Sequence, residues 1–270
     1  MKTFDFVPDG VKDCSVKAYI HGQIDSATVP PRVLPAIIVC PGGGYQFVSD
    51  REAEPVALPY FAAGYNIFVL TYSVGKEGAK NFNPLCQLAA TIAHIRKNAD
   101  EWSVAKNKIA VCGFSAGGHL AASLGVLYNN KRFLDVFGRQ DDIRPDAMIL
   151  SYPVIVADEY AHVGSVEHVS GAKAGSDEYK WFDLAQHVSS STPPAFLWHT
   201  ANDGSVPVEN SLQMCAALSK AKVPFEYHVL PEGRHGLSVC TKAVGTPYPY
   251  NARWLEWSIV WLNRVFDFEP

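Results

Sequence analysis

The chain has 270 residues, 48% hydrophobic, 12% aromatic and 19% charged. That apolar content excludes a disordered chain, and a chain of this length can bury roughly three quarters of its unfolded surface in its own core. The 23 Lys and Arg against 27 Asp and Glu give a net charge of −4 with no basic block, so neither a nucleic-acid partner nor an anionic membrane is expected.

Asp5 and Asp9 interrupt the N-terminal stretch before the apolar segment of a secretory signal forms. The longest apolar runs, 36–40 and 67–70, fall far short of the ~20 residues of a membrane span. The cysteines at 14, 40, 86, 112, 215 and 240 form no Cys-x-x-Cys pair, and Cys40 and Cys112 read as small buried thiols inside apolar runs. A reduced, cytoplasmic protein is the expectation.

Along the chain, residues 3–22 offer one or two antiparallel strands at a sheet edge. Residues 35–40 (PAIIVC) form an apolar run ended by Pro-Gly-Gly-Gly, the mark of a strand covered on both faces. A helix is read over 50–63, with Gly64 as its stop and Pro55 and Pro59 as weak points. Strand 65–72, helix 85–102, strand 108–112 and helix 116–128 follow. Beyond them come strands 147–151 and 195–200, helix 208–222, strand 225–230 and a closing helix 251–266. In that last helix Trp254, Trp257, Trp261 and Val265 share one face. Strand–helix alternation of this kind predicts one α/β domain over 1–270: a mostly parallel central sheet with helices on both faces. Residues 153–194 break the alternation and read as a lid-like insertion between the sixth and seventh strands. Its Tyr160, Tyr179, Trp181 and Phe182 suit either a sugar- or aryl-stacking surface or a seal onto the body.

The stretch Gly113-Phe114-Ser115-Ala116-Gly117 matches G-x-S-x-G and falls between a buried strand and a helix, where that motif has mechanical meaning. So tight a turn strains Ser115, leaves no room for side chains at 113 and 117, and holds the hydroxyl above the sheet at a helix N-terminus. Serine needs a base to take its proton, and the base needs an acid to orient it. With this motif the partners are expected in the order acid, then histidine, at the ends of later strands. Asp203 follows strand 195–200 and His235 follows strand 225–230; Asp158 is the rival acid. His119, His199 and His228 read as structural. His162, His168 and His187 lie in the insertion, where a substrate contact is conceivable. No residues at metal-ligand spacing occur near the serine, so no metal and no organic cofactor is expected.

A tetrahedral oxyanion needs donors already aimed at it. The N–H of Ala116 is one candidate, and Gly43 or Gly44 in Pro41-Gly-Gly-Gly-Tyr45 is the other, with Tyr45 bordering the acyl pocket. This loop lacks the Lys-Ser/Thr ending of a phosphate-binding loop.

PGGGY, GFSAGGHLA, the Asn202-Asp203 loop and Arg234-His235-Gly236, in that order, resemble the α/β-hydrolase superfamily over essentially the whole chain. More narrowly they resemble the esterase/lipase group that includes bacterial acetyl-xylan and feruloyl esterases. The resemblance implies a serine esterase of small or sugar-borne acyl esters, with a small-molecule ester or acylated carbohydrate as its partner. Pro41 stands where hormone-sensitive-lipase relatives carry His, and some 35 residues precede the strand at 35–40, too few for the helical cap of that branch. An amidase or peptidase with the same triad, a carbon–carbon or dienelactone hydrolase and a non-catalytic ligand receptor are the competing expectations. A homodimer through a sheet edge or the Trp-bearing helix is left open.

Overall fold

A computed structural model describes residues 1–28, 30–139 and 142–270 of the chain. Among these residues, eight strands form one sheet in the order β1-β2-β4-β3-β5-β6-β7-β8. These are β1 (Lys2–Phe6), β2 (Ser15–Ile20), β3 (Leu34–Cys40), β4 (Asn66–Thr71), β5 (Val104–Phe114), β6 (Ala147–Ser151), β7 (Ala195–Thr200) and β8 (Phe225–Leu230). β2 pairs antiparallel with both β1 and β4 at one edge, and β3 through β8 run parallel. The strands expected from apolar runs are present, and β5 begins four residues earlier than the sequence suggests.

Ten helices are present among the described residues. They are α1 (Glu54–Ala62), α2 (Gly75–Gly78), α3 (Asn83–Lys97), α4 (Ala99–Trp102), α5 (Ala116–Leu127), α6 (Lys131–Phe137), α7 (Val163–Ser170), α8 (Asp177–Trp181), α9 (Glu209–Lys220) and α10 (Arg253–Phe266). The helix read over 50–63 is really a 3-10 turn, Asp50–Glu52, followed by α1. Pro55 sits in the first turn of α1, where its missing N–H costs nothing. The helix read over 85–102 breaks at Asn98 into α3 and α4. α6 is absent from the sequence reading although its signals are ordinary: the Asn130 side chain accepts from Arg132 N–H, and Gly138 closes the helix at φ 66°.

Alternate side chains of the sheet feed two cores. Ile38 and Cys40 of β3 pack with α3 and α5 on one face. Ile37 and Val39 pack with α1 and α10 on the other. α10 buries Trp254, Trp261, Leu262 and Phe266, with Trp254 stacked on Trp198 at 5.1 Å. Val265 lies outside that face and is exposed, because the helix turns 100° per residue and Leu262 and Phe266 take the inward positions.

The chain leaves β3 toward the α1 face and β5 toward the α5 face, and these two strands are neighbours. Their C-terminal ends therefore frame a crevice, as at any such switch point. The Pro-Gly-Gly-Gly loop lies on one side of it and Ser115 on the other.

His119 of α5 is wholly buried. Its Nδ1 shares a hydrogen bond with the Tyr45 hydroxyl at 2.9 Å, and burial pushes the imidazole down to about 4 from its usual 6.5. The folded state thus favours neutral His119. The unfolded chain binds the extra proton between those two values, so stability falls as pH drops from 6.5 toward 4, by about 3 kcal/mol for this group. Melting temperature should fall over that interval, and His119→Gln should flatten the fall. An unchanged slope in the variant would assign the acid sensitivity to other groups.

Candidate active site

Ser115 has φ 54° and ψ −118°, a strained conformation between the last residue of β5 and the first of α5. The strain is held by backbone hydrogen bonds. Ser115 N–H donates to Ser151 C=O at 3.0 Å, and its own carbonyl accepts from His119 N–H and Val154 N–H. The flanking glycines are required by contact. A Cβ on Gly113 would stand 2.2 Å from the Gly117 carbonyl oxygen, and one on Gly117 would stand 2.1 Å from that of Cys40.

The structure brings Ser115, His235 and Asp203 together. Ser115 Oγ lies 2.8 Å from His235 Nε2, and His235 Nδ1 lies 2.6 Å from Asp203 Oδ2. An ionised carboxylate can only accept, so Nδ1 carries the proton and Nε2 is left to accept from the serine hydroxyl. Asp203 Oδ1 accepts from the N–H groups of Ser205 and Val206, at 2.9 and 3.0 Å. Burial alone would raise its carboxyl. Donation from His199 and His235, helped by Val206 N–H, outweighs it and holds the acid well below the usual carboxylate range.

The rivals make other contacts. Asp158 accepts from Tyr160 N–H and the Gln213 amide. His199 is buried, with Nδ1 on Ser211 Oγ and Nε2 on the Val206 carbonyl and 3.5 Å from Asp203 Oδ2, so it backs the acid. His228 pairs with Glu226 and stacks on Trp257.

A cavity of about 270 Å³ opens over Ser115 and His235, walled by Gly43, Gly44, Phe47 and His162 among others. Gly43 (φ 132°) and Gly44 (φ 64°) both need positive φ, and a Cβ on Gly43 would stand 2.0 Å from the Phe47 carbonyl. The turn folds back on itself through Gln46 N–H and Phe47 N–H, which donate to Gly43 C=O. The N–H of Ala116 starts α5, so no carbonyl within the helix can accept it.

Tyr45 does not border this cavity, contrary to the sequence expectation. At φ 58° its side chain turns into the core, fully buried between Tyr72 and His119. The insertion aromatics pack onto the body. Tyr179 and Phe182 are buried, Tyr160 packs on the core, and Trp181 lies against Phe82, Phe182 and the Arg132 guanidinium.

Arg51, Glu52 and His162 line the cavity without a catalytic role in the sequence reading. Arg51 Nη1 donates to Gly236 C=O at 3.0 Å. Glu52 is a buried carboxylate accepting from Gly42 N–H at 2.8 Å. His162 was read only as a conceivable substrate contact. Its Nδ1 is engaged with Ser165 Oγ and N–H, and burial, with the nearby His235, lowers its imidazole.

The BD-FAE family model matches residues 26–218. Endo-1,4-beta-xylanase B of Butyrivibrio fibrisolvens is 39% identical over 210 residues, 75% of this chain and 32% of that protein. The acetylxylan esterase of Xylanibacter ruminicola is 27% identical over 238 residues, 85% of this chain and 45% of that protein. The chain thus spans about a third to about half of the curated relatives it matches. The crystal structure of an acetyl ester-xyloside bifunctional hydrolase from Caldicellulosiruptor lactoaceticus superposes with a TM-score of 0.81 at 36% identity, covering 95% of this chain and 89% of that one.

Proposed function

Since this chain belongs to the BD-FAE family and has the α/β-hydrolase fold, we propose that it is a serine carboxylic-ester hydrolase acting on short acyl esters, O-acetylated sugars and xylo-oligosaccharides foremost. One observation carries the reading: the 2.8 Å and 2.6 Å contacts that link Ser115, His235 and Asp203 at a strained strand-to-helix turn. In the proposed reaction His235, oriented by Asp203, takes the Ser115 proton as Oγ attacks the ester carbonyl. The N–H groups of Gly43 or Gly44 and of Ala116 receive the oxyanion. Collapse breaks the carbonyl–alkoxy bond, and His235 returns the proton to the departing alcohol. Water then repeats the sequence on the acyl-serine and releases the acid.

The polar part of the wall supports a preference for small acyl groups. Arg51, Glu52 and His162 line the cavity, and each alkyl CH2 that finds no apolar surface forgoes about 0.8 kcal/mol. The sugar preference is supported by the names of the acetylxylan esterase and acetyl ester-xyloside hydrolase relatives. We expect kcat/KM to stay level or fall from p-nitrophenyl acetate to the octanoate, against the rise of about three orders of magnitude that six fully buried CH2 groups would give, and acetate to be released from acetylated xylo-oligosaccharides. A kcat/KM that rises with chain length would contradict this reading.

A further inference from the structure

The Gly-rich loop presents a mechanical difficulty. Three successive glycines give it freedom without side chains to anchor it, yet donors to an oxyanion act only when held in place beforehand. Its ties come largely from one short segment. Ser49 N–H donates to Gly42 C=O at 3.0 Å, and Glu52 Oε2 accepts from Gly42 N–H at 2.8 Å. A Cβ on Gly42 would press on that same oxygen at 2.8 Å and on Ser115 Cβ at 3.0 Å, so Glu52 sits directly behind the loop and beside the nucleophile.

The second oxygen of Glu52 reaches the other side of the site. Oε1 accepts from the Tyr152 hydroxyl at 2.6 Å. That hydroxyl oxygen in turn accepts from Ser238 N–H at 2.9 Å, three residues beyond His235. The Tyr152 ring meets the His235 ring edge-on at 5.0 Å. Tyr152 itself is held at φ 37°, a strained value that persists only where surrounding contacts enforce it. Arg51 adds a parallel connection. Its guanidinium donates to Gly236 C=O and Val244 C=O, and its own carbonyl accepts from Ser238 Oγ.

We propose that Glu52 is a positioning residue, whose two carboxylate oxygens lock the Gly42–Gly44 loop and, through Tyr152, the His235 loop into one rigid frame around Ser115. The role rests on the ester-hydrolase reading above. It requires a group that accepts on both oxygens. Glutamine has the same shape, but its NH2 either faces the Gly42 N–H, donor against donor, or donates to the Tyr152 hydroxyl and leaves that hydroxyl's proton without the acceptor it has in the wild type.

The test compares Glu52→Gln, Tyr152→Phe and the double variant with the wild type, with rates expressed per active site titrated by a fluorophosphonate. Glu52→Gln should lower kcat about 10- to 100-fold with KM changed less than about threefold. Affinity for a trifluoromethyl ketone, which forms a tetrahedral adduct on the serine, should fall in step with kcat/KM. Because both side chains act through one connection, the double variant should be no worse than the poorer single variant within about twofold, rather than the product of the two losses. Wild-type kcat in Glu52→Gln, a loss confined to KM, or multiplying losses in the double variant would each overturn the role while leaving the ester-hydrolase reading intact. A wild type without ester turnover would overturn both. If Glu52→Gln does not fold, Tyr152→Phe, which removes one hydroxyl, carries the test: unchanged kcat there overturns the role.

Discussion

Ser115→Ala is expected to lower p-nitrophenyl acetate turnover by at least about four orders of magnitude while leaving the fold intact. The substitution deletes one oxygen, the atom 2.8 Å from His235 Nε2. It keeps the Cβ, and the strained φ of 54° burdens Ser and Ala alike, so melting temperature should move little. What remains is a histidine and main-chain donors acting on water, an arrangement that retains only a small residual rate. Assay of the purified variant against wild type, with melting curves alongside, separates loss of chemistry from loss of structure. Substantial turnover in a folded Ser115→Ala protein would remove Ser115 from the nucleophile's role.

Gly117→Ala should instead attack the architecture. Its Cβ would stand 2.1 Å from the Cys40 carbonyl oxygen and 2.3 Å from that of Pro41. Both obstacles are backbone, at the end of a central strand, where no flexible side chain can swing away. Overpacking of this severity costs at least about 3 kcal/mol, or roughly 6–10 °C in melting temperature for a chain of this size. Any relief must push the Cys40–Pro41 segment, and with it the Gly-rich loop, away from Ser115, so the folded fraction should also lose kcat. Thermal denaturation and active-site titration report the two effects separately. A variant with wild-type melting temperature and wild-type rate would contradict the close approach of α5 to the β3 loop.

Much of this was legible in the residue order because it rests on local chemistry. Apolar runs ended by glycine place β3 and β5, and the G-x-S-x-G turn admits only glycines at 113 and 117. An acid and a histidine after successive strands give Asp203 and His235, which the fold brings to Ser115 across 120 residues of sequence in the case of His235. Tyr45 was misread because adjacency to a loop does not say which way a side chain points. Its positive φ turns it toward His119 instead of the cavity. Glu52 and Arg51 were hidden because Asp-Arg-Glu reads as the opening turn of a helix. A signal existed: buried amides of a Gly-rich loop need acceptors, and Glu52 follows that loop closely. His162 and the packed aromatics depend on how the insertion folds over the sheet, which spacing within 153–194 does not encode.

The claim on which the rest depends is that Ser115 is an activated nucleophile. Incubation with a fluorophosphonate followed by peptide mass spectrometry tests it most directly, with Ser115→Ala as the control. One covalent adduct per chain on the peptide containing Ser115, absent from the variant, is the expected result. A folded wild-type protein that stays unlabelled, or takes the label on another residue, would contradict the account.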